Sequence, residues 1–243
     1  MERTGDTSDT SQQRPFRAVC MRCLKPASSC CCSRATPIDL RGKVKFVFLM
    51  HPKEAKRQRT GTGRLASLCL PESEILVGVD FSHNERLNDL LCDTRYLPVL
   101  LYPSPTAISC TDEGFRQAAQ GKTILALIVD STWACSKKVI KLSENLIPLT
   151  RVTFAQTHES LFTFKRQPKL GCVSTIETCY YLICEMQAAS IVAHDASPEP
   201  LMATFKAMVR FQLEKQNERV AGKIPSTHAT DWKYTTIQPV PNF

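Results

Sequence analysis

Apolar residues along this chain follow two rhythms. The run Ile124-Leu125-Ala126-Leu127-Ile128-Val129 is apolar throughout and rich in branched residues. Such a run fits a strand buried on both faces. Residues 122–129 are therefore read as a central strand. Comparable runs predict strands over 43–50, 74–79, 98–103 and 149–154. Between them the spacing turns helical, over 65–70, 84–91, 134–142, 178–189 and 198–221. In the last of these Leu201, Phe205, Met208, Val209 and Leu213 share one side. The linker 104–121 holds at most a helical turn. Strands that alternate with short helices predict an α/β domain built on a parallel, doubly wound sheet.

The junction after the central strand is Asp130-Ser131-Thr132-Trp133. Ser131 or Thr132 can cap the helix that follows. Asp130 then lies at the carboxyl end of a central strand, the edge where open α/β sheets bind ligands. A second strand-to-helix turn, after the first strand, is basic and carries glycine. The segment 51–64 reads as a loop with Lys53, Lys56, Arg57, Arg59 and Arg64 on it. It can meet an anionic group through backbone N–H groups or grip phosphates; an ordinary solvated loop has the same composition. Further on, Ser174 and Glu177 match a capping box. Glu177 either caps the helix or faces a ligand.

Of 12 cysteines, five crowd between Cys20 and Cys32. The spacing C-x2-C, six residues, C-x-C brings Cys20, Cys23, Cys30 and Cys32 around one tetrahedral ion. Four thiolates suit a closed, structural zinc site, and Cys31 is a spare. The seven scattered cysteines read as small buried hydrophobes. None of the five histidines shows ligand spacing. The knuckle's loops are too short to fold alone, so it must lean on the main domain.

Composition refines this picture. The chain has 243 residues and is 43% apolar, enough for one sizeable core. Its +8 net charge suits a polyanionic partner. No apolar run is long enough to span a membrane, and no signal core opens the chain. An intracellular protein, cytoplasmic or nuclear, is expected. The parts are a disordered lead over 1–17, a zinc knuckle over 18–36, a main domain over 40–221 and a loose tail over 222–243.

Four motifs stand in one order: the knuckle C-x2-C-L-x-P-x3-C-x-C, Thr62-Gly63-Arg64, Asp130-x-Thr132-Trp133, and Arg166-Gln167-Pro168 followed by Ser174-Thr175-x-Glu177. Together they resemble the DTW-domain family, whose members look like tRNA-uridine aminocarboxypropyltransferases. The resemblance implies a SPOUT-like fold with a mostly parallel sheet and flanking helices. It implies S-adenosylmethionine as donor and transfer of its 3-amino-3-carboxypropyl group to N3 of a uridine in tRNA. Methylthioadenosine is then the by-product. On these motifs Asp130 is the catalytic candidate. Thr62, Gly63, Arg64, Thr132, Trp133, Ser174, Thr175 and Glu177 are the donor-binding candidates. Lys53, Lys56, Arg57, Arg59, Lys137, Lys138, Lys165 and Arg166 are the RNA-binding candidates. Family members carry Gly where Ser131 stands, Asn where Gly61 stands, Tyr near Phe162 and Arg near Lys165.

The chemistry fits these residue types. A sulfonium makes three attached carbons electrophilic, and the protein selects one by presenting it in line with the acceptor. Uridine N3–H is a weak acid whose proton a nearby carboxylate can accept. Asp130 is that base, or else it holds the turn by accepting backbone N–H bonds. Trp133 packs on the sulfonium by cation–π attraction, or else is a core indole. The target base must leave its stack first, which points to an exposed loop nucleotide. Two rivals are a SPOUT-type RNA methyltransferase, which would release S-adenosylhomocysteine, and a non-catalytic zinc-bearing RNA-binding protein. The knuckle predicts one zinc ion per chain by elemental analysis of purified protein. A sample that folds normally without metal removes it.

Overall fold

The computed structural model describes residues 18–57, 60–164, 171–224 and 236–243. Five parallel strands organise them: β1 Val44–Met50, β2 Glu74–Val77, β3 Tyr96–Leu101, β4 Thr123–Asp130 and β5 Thr150–Val152. Their order is β2-β1-β4-β3-β5. β4 is thus central, with β1 on one side and β3 on the other, and Met50 stands opposite Asp130. Seven helices among the described residues complete the fold: α1 Pro52–Arg57, α2 Gly63–Cys69, α3 Glu85–Cys92, α4 Glu113–Ala118, α5 Trp133–Leu142, α6 Thr175–Ala188 and α7 Glu199–Val220. None is long and apolar enough to cross a membrane.

Period-two alternation decides which helix covers which face. Val44, Phe46 and Phe48 of β1 and Ile124, Ala126 and Ile128 of β4 pack with α2, α6 and α7. The intervening Val47, Leu49, Leu125 and Leu127 pack with Leu87 and Leu90 of α3 and Val139 and Ile140 of α5. Both faces are therefore apolar, which is why β1 and β4 read as unbroken runs. Each such side chain contributes about 1.5–3 kcal/mol by burial. The knuckle joins the first core: Cys23, Cys31, Ala35, Ile38 and Leu40 are buried in it beside α7.

The expected α/β architecture, with a parallel sheet, flanking helices and an N-terminal cysteine knuckle, is borne out. Three details differ. The segment read as loop over 51–64 contains α1. Proline is tolerated at a helix's first position, and the His51 ring nitrogen Nδ1 accepts the Lys53 backbone N–H at 3.1 Å. Next, α6 begins at Thr175 rather than at 178, because the capping box closes on Ser174. Finally, of the tail expected over 222–243, residues 225–235 lie outside the described residues and the last ones touch α7. Gln238 exchanges backbone–side-chain bonds with Asn217 at 2.8 and 2.9 Å, and Lys206 lies over the Phe243 ring at 5.6 Å. These contacts lay 236–243 along α7.

The capping box does more than start α6. Glu177 is 0% exposed. Its carboxylate accepts from Ser174 N and Oγ at 2.7 and 2.6 Å, and from Ser160 Oγ and Leu161 N at 2.7 Å each. One carboxylate thereby ties the 160–161 loop to the helix start. Glu177→Ala strands these donors inside the protein. Urea unfolding should show a loss on the order of 3 kcal/mol. A loss under about 0.5 kcal/mol would contradict the clamp.

Candidate functional site

The carboxyl end of β4 delivers Asp130 into a crowded corner. Its side chain is only 4% exposed, and Oδ1 accepts the Thr175 hydroxyl at 2.6 Å. The Asp130 carbonyl accepts the His51 N–H at 3.0 Å. On its other side stands the first turn of α2. A methyl group on Gly63 would sit 2.2 Å from Asp130 Oδ2, so only glycine lets that backbone approach. Segments far apart in sequence, 51, 63, 130 and 175, thus meet at one residue.

A cavity of about 440 Å³ opens beside it, within the ~300–1,000 Å³ range of small-ligand sites. Asp130, Ser131, Thr132 and Trp133 line it from the sheet edge, Thr60 to Thr62 from the turn before α2, and Val173 to Thr175 from the start of α6. Thr132 caps α5 by accepting the Cys135 N–H at 3.4 Å. The N-termini of α5 and α6 both point into the cleft and give it positive dipole ends. Hydroxyls, a half-buried indole and the carboxylates of Asp130 and Glu54 line the cleft; no Lys or Arg does among the described residues.

Most motif residues converge here. Thr62, Thr132, Trp133, Ser174 and Thr175 line the cleft, and Gly63 lies beneath Asp130. Trp133 is a wall of the cleft, so the core-indole alternative does not apply. Two donor-binding candidates stand elsewhere. Glu177 is enclosed in the capping network, where its four bonds account for it. Arg64 lines a second cavity, described below. Sequence reasoning missed Tyr102. It follows β3 at the same sheet edge, lines the cleft and lies 6.0 Å from Trp133, ring to ring. The Arg151 guanidinium sits over Tyr102 at 5.5 Å. The available signal was position: the residue after the strand that pairs with β4.

Of the basic candidates, Lys53, Lys56, Lys137 and Lys138 are exposed, and Arg57 ends α1. Arg59, Lys165 and Arg166 lie outside the described residues. Burial, and then the charges of Lys53 and Lys138, hold the His51 imidazole below its ordinary pKa.

In the knuckle, the Sγ atoms of Cys20, Cys23, Cys30 and Cys32 all lie within 4.8 Å of one another. Such a set can hold a metal ion. Leu24 adopts a left-handed φ of 55°, and its N–H returns to the Cys20 carbonyl at 2.8 Å. Backbone N–H groups of Cys23 and Arg22 stabilise the Cys20 thiolate and draw its pKa down to about 6. Cys31 faces the core instead, where burial pushes its thiol up to about 11.

A parallel α/β sheet with a cysteine knuckle and this cleft defines a class, and comparison with known proteins gives it a family. Residues 17–213 match the DTW domain, and the chain belongs to that family. A relative in Drosophila melanogaster, named tRNA-uridine aminocarboxypropyltransferase 2, is 27% identical over 176 residues. The match covers 71% of this chain and 68% of that protein. No solved structure matches.

The Gly63 contact generates a sign test. Replacing a helical glycine by alanine commonly gains roughly 0.5–1 kcal/mol. Here Gly63→Ala should cost about 1–3 kcal/mol in urea unfolding, because the new methyl meets the Asp130 carboxylate. Adding Asp130→Ala should relieve much of that cost, a coupling measurable by a double-mutant cycle. A stabilising Gly63→Ala would contradict the packing.

Proposed function

We propose that this protein is a tRNA-modifying transferase. It moves the 3-amino-3-carboxypropyl group of S-adenosylmethionine to N3 of a uridine in tRNA. The observation that carries the reading is the cleft itself: a carboxylate fixed at the end of the central strand, walled by the Thr62, Thr132-Trp133 and Ser174-Thr175 segments. Family membership and the relative's name support it.

The cleft's charge suits the donor. A sulfonium is a compact cation, and Asp130 with the face of Trp133 offers it a carboxylate and a π surface. The donor's own carboxylate suits the dipole-positive starts of α5 and α6. Asp130 then has two tasks. It favours the sulfonium's position, and it receives the N3 proton of uridine. The N3–C bond forms as the C–S bond breaks. The bonding pair leaves with sulfur, giving neutral methylthioadenosine. Thr175, which donates to Oδ1, fixes the carboxylate's orientation. The exposed lysines of α1 and α5 serve the tRNA backbone.

Zinc is the metal proposed for the knuckle. A tetrahedral ion with Zn–S bonds of about 2.3 Å separates its sulfurs by about 3.8 Å. Cys20–Cys32 and Cys23–Cys30 each stand 3.8 Å apart, sulfur to sulfur. The ion would be structural, since four thiolates close its shell.

Purified protein incubated with S-adenosylmethionine and unmodified tRNA should yield methylthioadenosine and aminocarboxypropyluridine by mass spectrometry. Asp130→Asn should lower the rate about 10²–10⁴-fold while the fold persists. S-adenosylhomocysteine with a methylated nucleoside would replace this reading by methyl transfer. No donor turnover with intact tRNA binding would leave an RNA-binding protein.

A further inference from the structure

A second cavity, of about 340 Å³, adjoins the cleft at Asp130. The knuckle's turn forms one wall, with Cys23, Leu24, Lys25 and Pro26. The other wall is α1 and the start of α2, with Lys56 and Arg64. Asp130, Glu54 and Gly61 belong to both cavities. The two compartments differ in charge. The cleft holds carboxylates and hydroxyls, whereas this one gathers Lys25, Lys56 and Arg64. Lys25 is only 5% exposed although it is a lysine. A buried ammonium is held by partners that replace its water, which fixes this charge in the wall.

We propose that this knuckle-side cavity is the acceptor subsite, holding the phosphate and ribose next to the target uridine of the RNA. Lys25, Lys56 and Arg64 bind the phosphate. Glu54 faces the same space and suits a ribose hydroxyl better than an anion. The inference rests on the transfer reading above and deepens it. Displacement at carbon requires nucleophile and leaving group on opposite sides of that carbon. Two separate compartments that share Asp130 allow this: donor from the cleft, acceptor from the knuckle side, with Asp130 in the shared wall to take the proton. Arg64 therefore serves the RNA rather than the donor, and the metal knuckle forms part of the substrate site.

The test compares zinc-loaded wild type, Lys25→Gln and Arg64→Gln. Affinity for an unmodified tRNA transcript is measured across salt, affinity for S-adenosylmethionine separately by calorimetry, and zinc by elemental analysis. Each variant should bind tRNA about ten-fold more weakly. The slope of log affinity against log salt should shrink by about 0.7–0.9, one phosphate's worth. Donor affinity should stay within about two-fold. Weaker donor binding with unchanged tRNA binding overturns the proposal and makes this the donor's carboxylate site. Unchanged binding of both overturns it outright. If Lys25→Gln loses zinc, its charge serves the thiolate cluster and Arg64→Gln alone decides. Absence of methylthioadenosine from the wild type would sink the transfer chemistry by itself, while the tRNA comparison would still report on this subsite.

Discussion

One close contact governs this molecule: the Asp130 carboxylate, almost fully buried, wedged between the Gly63 backbone and the Thr175 hydroxyl. A carboxylate out of water is stable only where donors and dipoles replace its hydration. Here it receives a hydroxyl at 2.6 Å and lies among helix starts. That requirement fixes its neighbours. Residue 63 must lack a side chain, residue 175 must donate, and the capping box must set where α6 begins. The fully buried Glu177 completes the arrangement, because it secures both the start of α6 and the loop that packs on it. Two buried carboxylates thus do different work, one facing the cleft and one bracing the helix that serves it.

The sheet order explains why this happens at Asp130. With β4 in the middle, its carboxyl end is flanked by the ends of β1 and β3. His51 follows one and Tyr102 the other. The turn after β1 leads through α1 to α2, while α5 starts directly after Asp130. The central position therefore collects the ends of three strands and the starts of several helices. The knuckle adds a wall that the sheet cannot provide. Its turn between Cys23 and Pro26 is held by metal-type cysteines on one side and by the core on the other. A small cysteine-clustered turn thereby carries a buried lysine to a cavity that shares Asp130 with the cleft.

Much of this was legible in the sequence, for physical reasons. β1 and β4 are covered on both faces, so their apolar runs are unbroken and unambiguous. The knuckle was legible because paired short spacings leave four thiols little choice but to converge. What was missed depends on long-range contact. α1 was hidden by Pro52, which reads as a breaker although it suits a first helical position. Tyr102 looks like the polar end of a strand until β3 is seen beside β4. Lys25 gives no sign of burial in the sequence, yet it is only 5% exposed and lines the cavity between the knuckle and α1. Glu177 could be read as cap or ligand contact from spacing alone, and its burial identifies the cap. The segment 236–243 has no periodicity and is held by isolated contacts with Lys206, Arg210 and Asn217 of α7.

The most direct measurement is a crystal structure of the zinc-loaded protein with S-adenosylmethionine bound. The account predicts density in the cleft between Trp133 and the start of α6. It places the methionine-arm carbon bonded to sulfur toward Asp130, with the knuckle-side cavity left open for RNA. Donor density outside that cleft, or a methyl group facing Asp130 in place of the methionine arm, would contradict it.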